Sequence, residues 1–250
     1  MKPITNLAGL PVNPFLLPVY FAQGKWTRLV TPRLPDAAGP TEGSIEGIEP
    51  ALRLIVIGDS TVAGVGALTH QSALTGQVAH HLSSATQRAV RWRAIGQTHA
   101  TTPIIRTKLL PLLANETADV IVVSCGVNDT TRLHTPERWQ ANLKGLLADL
   151  RAQFGAIPII HAGMPPLASF PALPRPLRYW IGARANHFAE IAKQVFADDA
   201  NGHYCVMPDS LTQTGFAADG YHPNEDACSQ WGEELVARLL RESMTRLRLV

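Results

Sequence analysis

The sequence predicts a three-layer α/β/α sandwich around a five-stranded parallel sheet. From Leu52 onward, short apolar runs alternate with longer amphipathic stretches, the pattern of parallel strands joined by crossover helices. The chain's 250 residues suffice for one α/β domain with a sizeable core. Polar clusters suited to chemistry follow the apolar runs, where an open sheet exposes its ligand-facing edge.

Residues 1–50 read as an N-terminal arm and linker, and residues 51–250 as the domain proper. The arm contains "LAGLPVNPFLLPVYFAQGKW", apolar but interrupted by Pro11, Pro14 and Pro18, and too broken for an ordinary spanning helix. It has Lys2 but neither a strongly basic start nor a clean apolar run with a cleavage site, so it does not read as a signal peptide. The arm is expected to pack on the domain or shield a pocket; contact with a membrane surface is the alternative, since Trp26 and Arg28 adjoin the apolar patch. The stretch "TPRLPDAAGPTEGSIEGIEP" reads as irregular.

Strands are expected near Leu52 to Ile57, Val90 to Ala94, Val120 to Ser124, Pro158 to His161 and Tyr204 to Met207. Helices are expected over Ser72 to Ser83, Pro103 to Leu113, Pro136 to Phe154, Trp180 to Ala197 and Asn224 to Leu240. Pro103, Pro136 and Pro223 sit near helix starts, where a missing N–H costs nothing. Trp139, Leu143, Leu146, Leu147 and Leu150 recur at three and four and form one buried stripe.

A formal charge of +2 with 17% charged residues leaves no electrostatic footprint for nucleic acid. Cys125, Cys205 and Cys228 are odd in number and widely spaced, so buried free thiols are expected rather than disulfides or a zinc site, as suits a reducing, cytoplasmic setting. The histidines His70, His80, His81, His161, His187 and His203 show no metal-ligand spacing, and no metal or organic cofactor is implied.

Three clusters remain: "GDS" at Gly58 to Ser60, "GVND" at Gly126 to Asp129, and "DGYHP" at Asp219 to Pro223. A serine needs a base to become nucleophilic, and the base needs an orienting partner. Ser60, His222 and Asp219 supply these types, and the three-residue separation lets the carboxylate reach the imidazole Nδ1. Asn128 offers an amide donor for an oxyanion beside the Ser60 N–H, whereas Asp129 reads as a cap for the following segment.

Taken together, "GDST", "GVND" and "DGYHP" resemble the blocks of the SGNH hydrolases, also called the GDSL esterase and lipase family. The resemblance spans Leu52 to Leu240. It implies a flavodoxin-like sandwich, Ser60 as nucleophile, His222 as general base and acid, Asp219 as its orienter, and Asn128 as an oxyanion donor.

The family's second block carries a glycine whose N–H completes the oxyanion hole, but here the stretch reads "IGQTHATT". Aligned on Ala100, Thr101 and Thr102, the glycine position holds His99; Gly96, three residues earlier, is the alternative. A histidine N–H can serve if its backbone adopts the glycine's conformation.

The stretch "GMPPLASFPALPRPLRYWIG" follows the fourth strand, and Met164, Pro165, Leu167, Phe170 and Leu173 are candidates to line an acyl pocket. These expectations converge on a serine esterase acting on a small-molecule or lipid-like ester of short to medium acyl chain through an acyl-enzyme. Lysophospholipase, thioesterase or carbohydrate acetylesterase activity fits the same machinery. A non-catalytic ligand-binding module is the reading from another class.

Overall fold

The computed structural model describes residues 5–7, 10–11, 14–207 and 214–247. A small hairpin of β1 (Thr5–Leu7) and β2 (Leu10–Pro11) precedes helix α1 (Leu17–Val30). The main sheet has six strands: β3 (Glu42–Ile45), β4 (Ile48–Gly58), β5 (Arg88–Gly96), β6 (Val120–Ser124), β7 (Ile159–His161) and β8 (Gly202–Tyr204). Their order is β3-β5-β4-β6-β7-β8, with β3 antiparallel to β5 and every other pairing parallel.

Without its edge strand the order is the 2-1-3-4-5 of a flavodoxin-like fold, whose direction reverses at β4. A crevice therefore opens beyond the C-terminal ends of β4 and β6. Alternation along each strand feeds two cores. Leu52, Leu54 and Val56 meet Leu74, Val78 and Leu82 of α2 (Leu74–Thr86) and Trp231 and Leu235 of α7 (Glu225–Leu247). Ile55, Ile57, Ile121 and Val123 face the other way, toward α5 (Pro136–Phe154) and α6 (Leu177–Ala197).

Two expectations need correction, and one element was not anticipated. The sheet has six strands rather than five, and β3, "EGSI", has only one large apolar side chain to betray it. The division at residue 50 falls inside β4, since that strand begins at Ile48 and β3 lies before it. The arm, too broken for a spanning helix as expected, includes a 14-residue helix that no expected element covers, because Pro18 sits in the first turn of α1, where its absent N–H is not needed.

Smaller shifts follow from local chemistry. The segment expected as one helix over Pro103 to Leu113 is α3 (Thr102–Ile104), then a π turn over Ile105–Leu109 and a 3-10 turn over Leu110–Leu113. Pro111 in that run cannot donate an intrahelical bond. The last strand is Gly202–Tyr204 rather than Tyr204 to Met207. Strand β6 and helix α5 have the expected bounds, and the Thr135 hydroxyl caps α5 by accepting from the Arg138 N–H.

Candidate active site

Strand β4 ends at Gly58 and the chain turns at once, with the Asp59 carbonyl accepting from the N–H groups of Val62 and Ala63. That turn lifts Ser60 to the sheet edge, 9% exposed. Opposite it, the chain from Phe216 to Pro223 folds back on itself: Ala217 N–H donates to the His222 carbonyl at 2.8 Å, and Phe216 bridges Pro223. Asn224 then caps α7, its side-chain oxygen accepting from the Ala227 N–H at 2.9 Å.

The two turns bring three side chains into line. His222 Nε2 lies 2.8 Å from Ser60 Oγ, and His222 Nδ1 lies 2.6 Å from Asp219 Oδ2. Asp219 Oδ1 accepts from the N–H groups of Tyr221 and His222 at 2.9 and 3.0 Å. Burial alone would raise the Asp219 carboxyl, but the His222 ring and these backbone donors outweigh it and hold its pKa below the ordinary value. An ionised Asp219 accepts the Nδ1 proton, which leaves Nε2 to accept from the serine.

Helix α4 (Val127–Thr131) begins after β6 and carries Asn128 into the crevice. Its Nδ2 donates to the Ala100 carbonyl at 3.0 Å, which orients the amide and leaves its second N–H available. Gly126, at φ 112°, makes the turn into α4; a Cβ there would lie 2.4 Å from Met164 Sδ and 2.9 Å from the Trp139 ring.

His99 has φ 65°, the left-handed conformation that glycine adopts freely, and its side chain is exposed. Neither the His99 nor the Ser60 N–H has a hydrogen-bond acceptor among the described residues. Gly96 instead closes β5 opposite Gly58, and a Cβ there would meet Ala63 N at 2.1 Å. Close backbone approach beneath the serine turn accounts for that glycine.

Two carboxylates to which the sequence assigned no part in the site's geometry, Asp129 reading only as a cap, shape it. Asp129 is fully buried: Oδ2 accepts from the Thr102 N–H at 2.9 Å and its hydroxyl at 3.0 Å, while Oδ1 meets His134 Nδ1 at 2.8 Å. It ties the His99 loop to α4 and is more than a cap. Asp59 lies behind Ser60, its Oδ1 accepting from Thr61 N–H at 3.2 Å and Ser124 Oγ at 3.4 Å. Burial raises its pKa to about 6, against the opposing pull of those donors and of His222. The aspartate of "GDS" was the available signal, though the motif does not say where its side chain goes.

The cavity at this edge is lined by Ser60, Asn128, Pro165, Phe170, Tyr221 and His222, among others. Phe170 meets Phe216 and Tyr221 edge-on, with centroids 5.1 Å apart in each pair, so an aromatic wall stands beside His222. The pocket expectation for Met164, Leu167 and Leu173 is corrected: all three lie in the core, with Met164 packed beneath Gly126. The free cysteines are all buried. Among the described residues, no group of three or more His, Cys, Asp or Glu side chains is placed to hold a metal ion.

Comparisons with known proteins bear on this geometry. No curated protein matches the chain. Among solved structures, TesA is 23% identical, with TM-score 0.59 over 75% of this chain and 97% of its own. The psychrotrophic esterase EstA from Pseudoalteromonas sp. is 19% identical, with TM-score 0.59 over 78% of this chain and 99% of its own. The acetylxylan esterase Axe2 from Geobacillus stearothermophilus is 18% identical, with TM-score 0.51 over 76% of this chain and 93% of its own. These likenesses establish a shared fold. The family described as GDSL-like Lipase/Acylhydrolase matches residues 56–227, from inside β4 to the first turn of α7 and so across all three blocks; the chain belongs to that family and is a carboxylic ester hydrolase.

Proposed function

We propose that the protein hydrolyses carboxylic esters of short to medium acyl chain through an acyl-enzyme on Ser60. The observation that carries this reading is the unbroken relay from Ser60 Oγ through His222 to Asp219, at 2.8 and 2.6 Å. Ser60 Oγ attacks the ester carbonyl carbon as His222 Nε2 takes its proton, and Asp219 holds the ring and stabilises the imidazolium. The oxyanion receives the Ser60 N–H, the His99 N–H and the Asn128 amide. Collapse of this intermediate expels the alcohol, which takes its proton from His222. Water then attacks the acyl-enzyme with the same histidine as base, and Ser60 is released.

Size and polarity of the cavity support a small acyl group. Its volume is about 60 Å³, and a water needs roughly 10–15 Å³ by the same measure, so it accepts a few heavy atoms. Val127, Pro165, Pro166, Phe170 and Phe216 make the wall mostly apolar, which suits an acyl chain better than a sugar.

The test is a chain-length series of p-nitrophenyl esters, acetate to palmitate, with wild type and Ser60→Ala side by side. The reading predicts an optimum at the short end and loss of turnover by orders of magnitude in a folded Ser60→Ala protein. Turnover retained in that variant overturns it.

A further inference from the structure

Helix α1 has two faces of unlike character. On the inner face Tyr20 stacks on Trp180 of α6, with centroids 5.1 Å apart and planes 4° from parallel. Gln23 Oε1 accepts from the Leu177 N–H at 3.0 Å, its Nε2 donates to the Arg175 carbonyl at 2.5 Å, and Thr27 is buried. The helix is therefore docked on the domain.

The outer face has no such cover. Val19, Ala22, Trp26 and Leu29 recur at three and four and form one stripe, with Val19 38%, Trp26 62% and Leu29 81% exposed. Val30, 50% exposed, widens it. The neighbouring row holds Phe21, 63% exposed, then Lys25 and Arg28. A lined-up apolar patch of this kind marks an interaction surface. Beside it Arg175 stands over the ring of Tyr179, at 5.6 Å, and Tyr179 is 54% exposed.

Charge identifies the occupant. Before Asp36 the chain carries Lys2, Lys25, Arg28 and Arg33 and no acid, so this stretch is +4 while the remainder is −2. We propose that the outer face of α1 docks on an anionic phospholipid surface, the helix lying in the headgroup plane with Trp26 and Leu29 inserted and Lys25 and Arg28 among the phosphates. Pairing with a second copy through the same stripe would set Lys25 and Arg28 near their own counterparts with no acid on the helix to offset them. Among the described residues no helix is long and apolar enough to cross a membrane, so the contact is of the lying kind.

Docking would place the site beside the lipid. The segment leading into α6, which Gln23 of α1 bonds at Arg175 and Leu177, includes Pro165, Pro166 and Phe170 of the cavity wall. A lipid-derived ester leaving the surface then has a short path to Ser60. That consequence rests on the proposed hydrolysis; the docking does not.

The experiment is cosedimentation of the full chain with phosphatidylcholine vesicles and with mixed phosphatidylcholine and phosphatidylglycerol vesicles at low salt. Wild type is expected to pellet with the anionic vesicles only and to be released by salt. Each basic residue near such a surface changes partitioning by about fivefold, so Lys25→Glu should lower it by more than about tenfold. The double variant Trp26→Ser, Leu29→Ser should lose binding to a similar degree. Both variants should melt as wild type does and hydrolyse soluble p-nitrophenyl acetate at the wild-type rate, which separates failure of docking from failure of the hydrolase reading. No binding to anionic vesicles overturns the proposal, as does equal binding by all three proteins. A dimer in sedimentation equilibrium that the double variant dissociates would assign the face to a second copy and overturn it as well.

Discussion

His99→Gly separates what a backbone does from what a side chain does at the sheet edge. His99 is held at φ 65°, and an L-residue in that left-handed region carries about 1–2 kcal/mol of strain that glycine escapes. Glycine also gives the unfolded chain more freedom, which takes back about 0.4–1 kcal/mol. The net expectation is a gain between zero and about 1.6 kcal/mol, or up to roughly 3–6 °C in Tm for a chain of this size. Nothing else in the backbone should change, since the His99 carbonyl still accepts from Arg132 Nη2, at 3.3 Å in the parent. If the His99 N–H is the oxyanion donor, kcat on p-nitrophenyl acetate stays within about twofold of wild type, because the substitution keeps that N–H. Thermal melting and initial rates on the same preparations give both numbers. A large fall in kcat with an unchanged or raised Tm would refute the reasoning and assign the reaction a use for the imidazole.

Other substitutions perturb the neighbouring groups. Asn128→Ala removes an oriented amide and should lower kcat by about 10²–10³ with little effect on the melt; a loss under tenfold in steady-state rates would remove Asn128 from the oxyanion hole. Asp59→Asn tests the buried carboxyl. Because its folded pKa is raised to about 6 from 3.8, the stability it contributes is full below pH 4 and lost as pH rises through 6. Wild type therefore weakens over that window by about 3 kcal/mol that the variant does not lose. Urea melts at pH 4.5 and 7.5 should show the variant gaining on wild type, and a constant gap would contradict the burial. Gly126→Ala combines φ 112° with a Cβ 2.4 Å from Met164 Sδ. It should cost about 1–3 kcal/mol or more in a urea melt, and a wild-type melt would show that Met164 gives way freely.

Much of this molecule was legible because its five central strands are parallel and buried on both faces. Runs such as "VIVVS" announce a central strand, and the "PERWQANLKGLLADLRAQF" stripe announces the helix that covers it. The edge strand β3 gave no such sign: Gly43 lies against the Trp92 ring, and three of the strand's four residues are exposed. Helix α1 was hidden because proline was read as a breaker, although Pro18 lies in the first turn. At the site, the nucleophile, base and orienter candidates were legible because each block follows a strand or opens a helix at one sheet edge. The brace from Asp129 to Thr102 and His134 was not, since it spans 27 residues in one direction and is seen only through space. Met164 adjoins Pro165 in sequence yet turns inward beneath Gly126, a choice no local pattern records.

Whether Ser60 attacks the ester is settled by covalent trapping. The protein would be treated with an activated alkylphosphonate, which phosphonylates a serine only where a base activates it and an oxyanion hole receives the P–O⁻ oxygen. Intact-mass and peptide mass spectrometry would follow, with ester hydrolysis monitored in parallel. One adduct is expected, on Ser60, forming in step with the loss of hydrolysis and absent from folded Ser60→Ala and His222→Ala proteins. Inactivation accompanied by an adduct on any other residue, or full hydrolysis with Ser60 stoichiometrically modified, would contradict it.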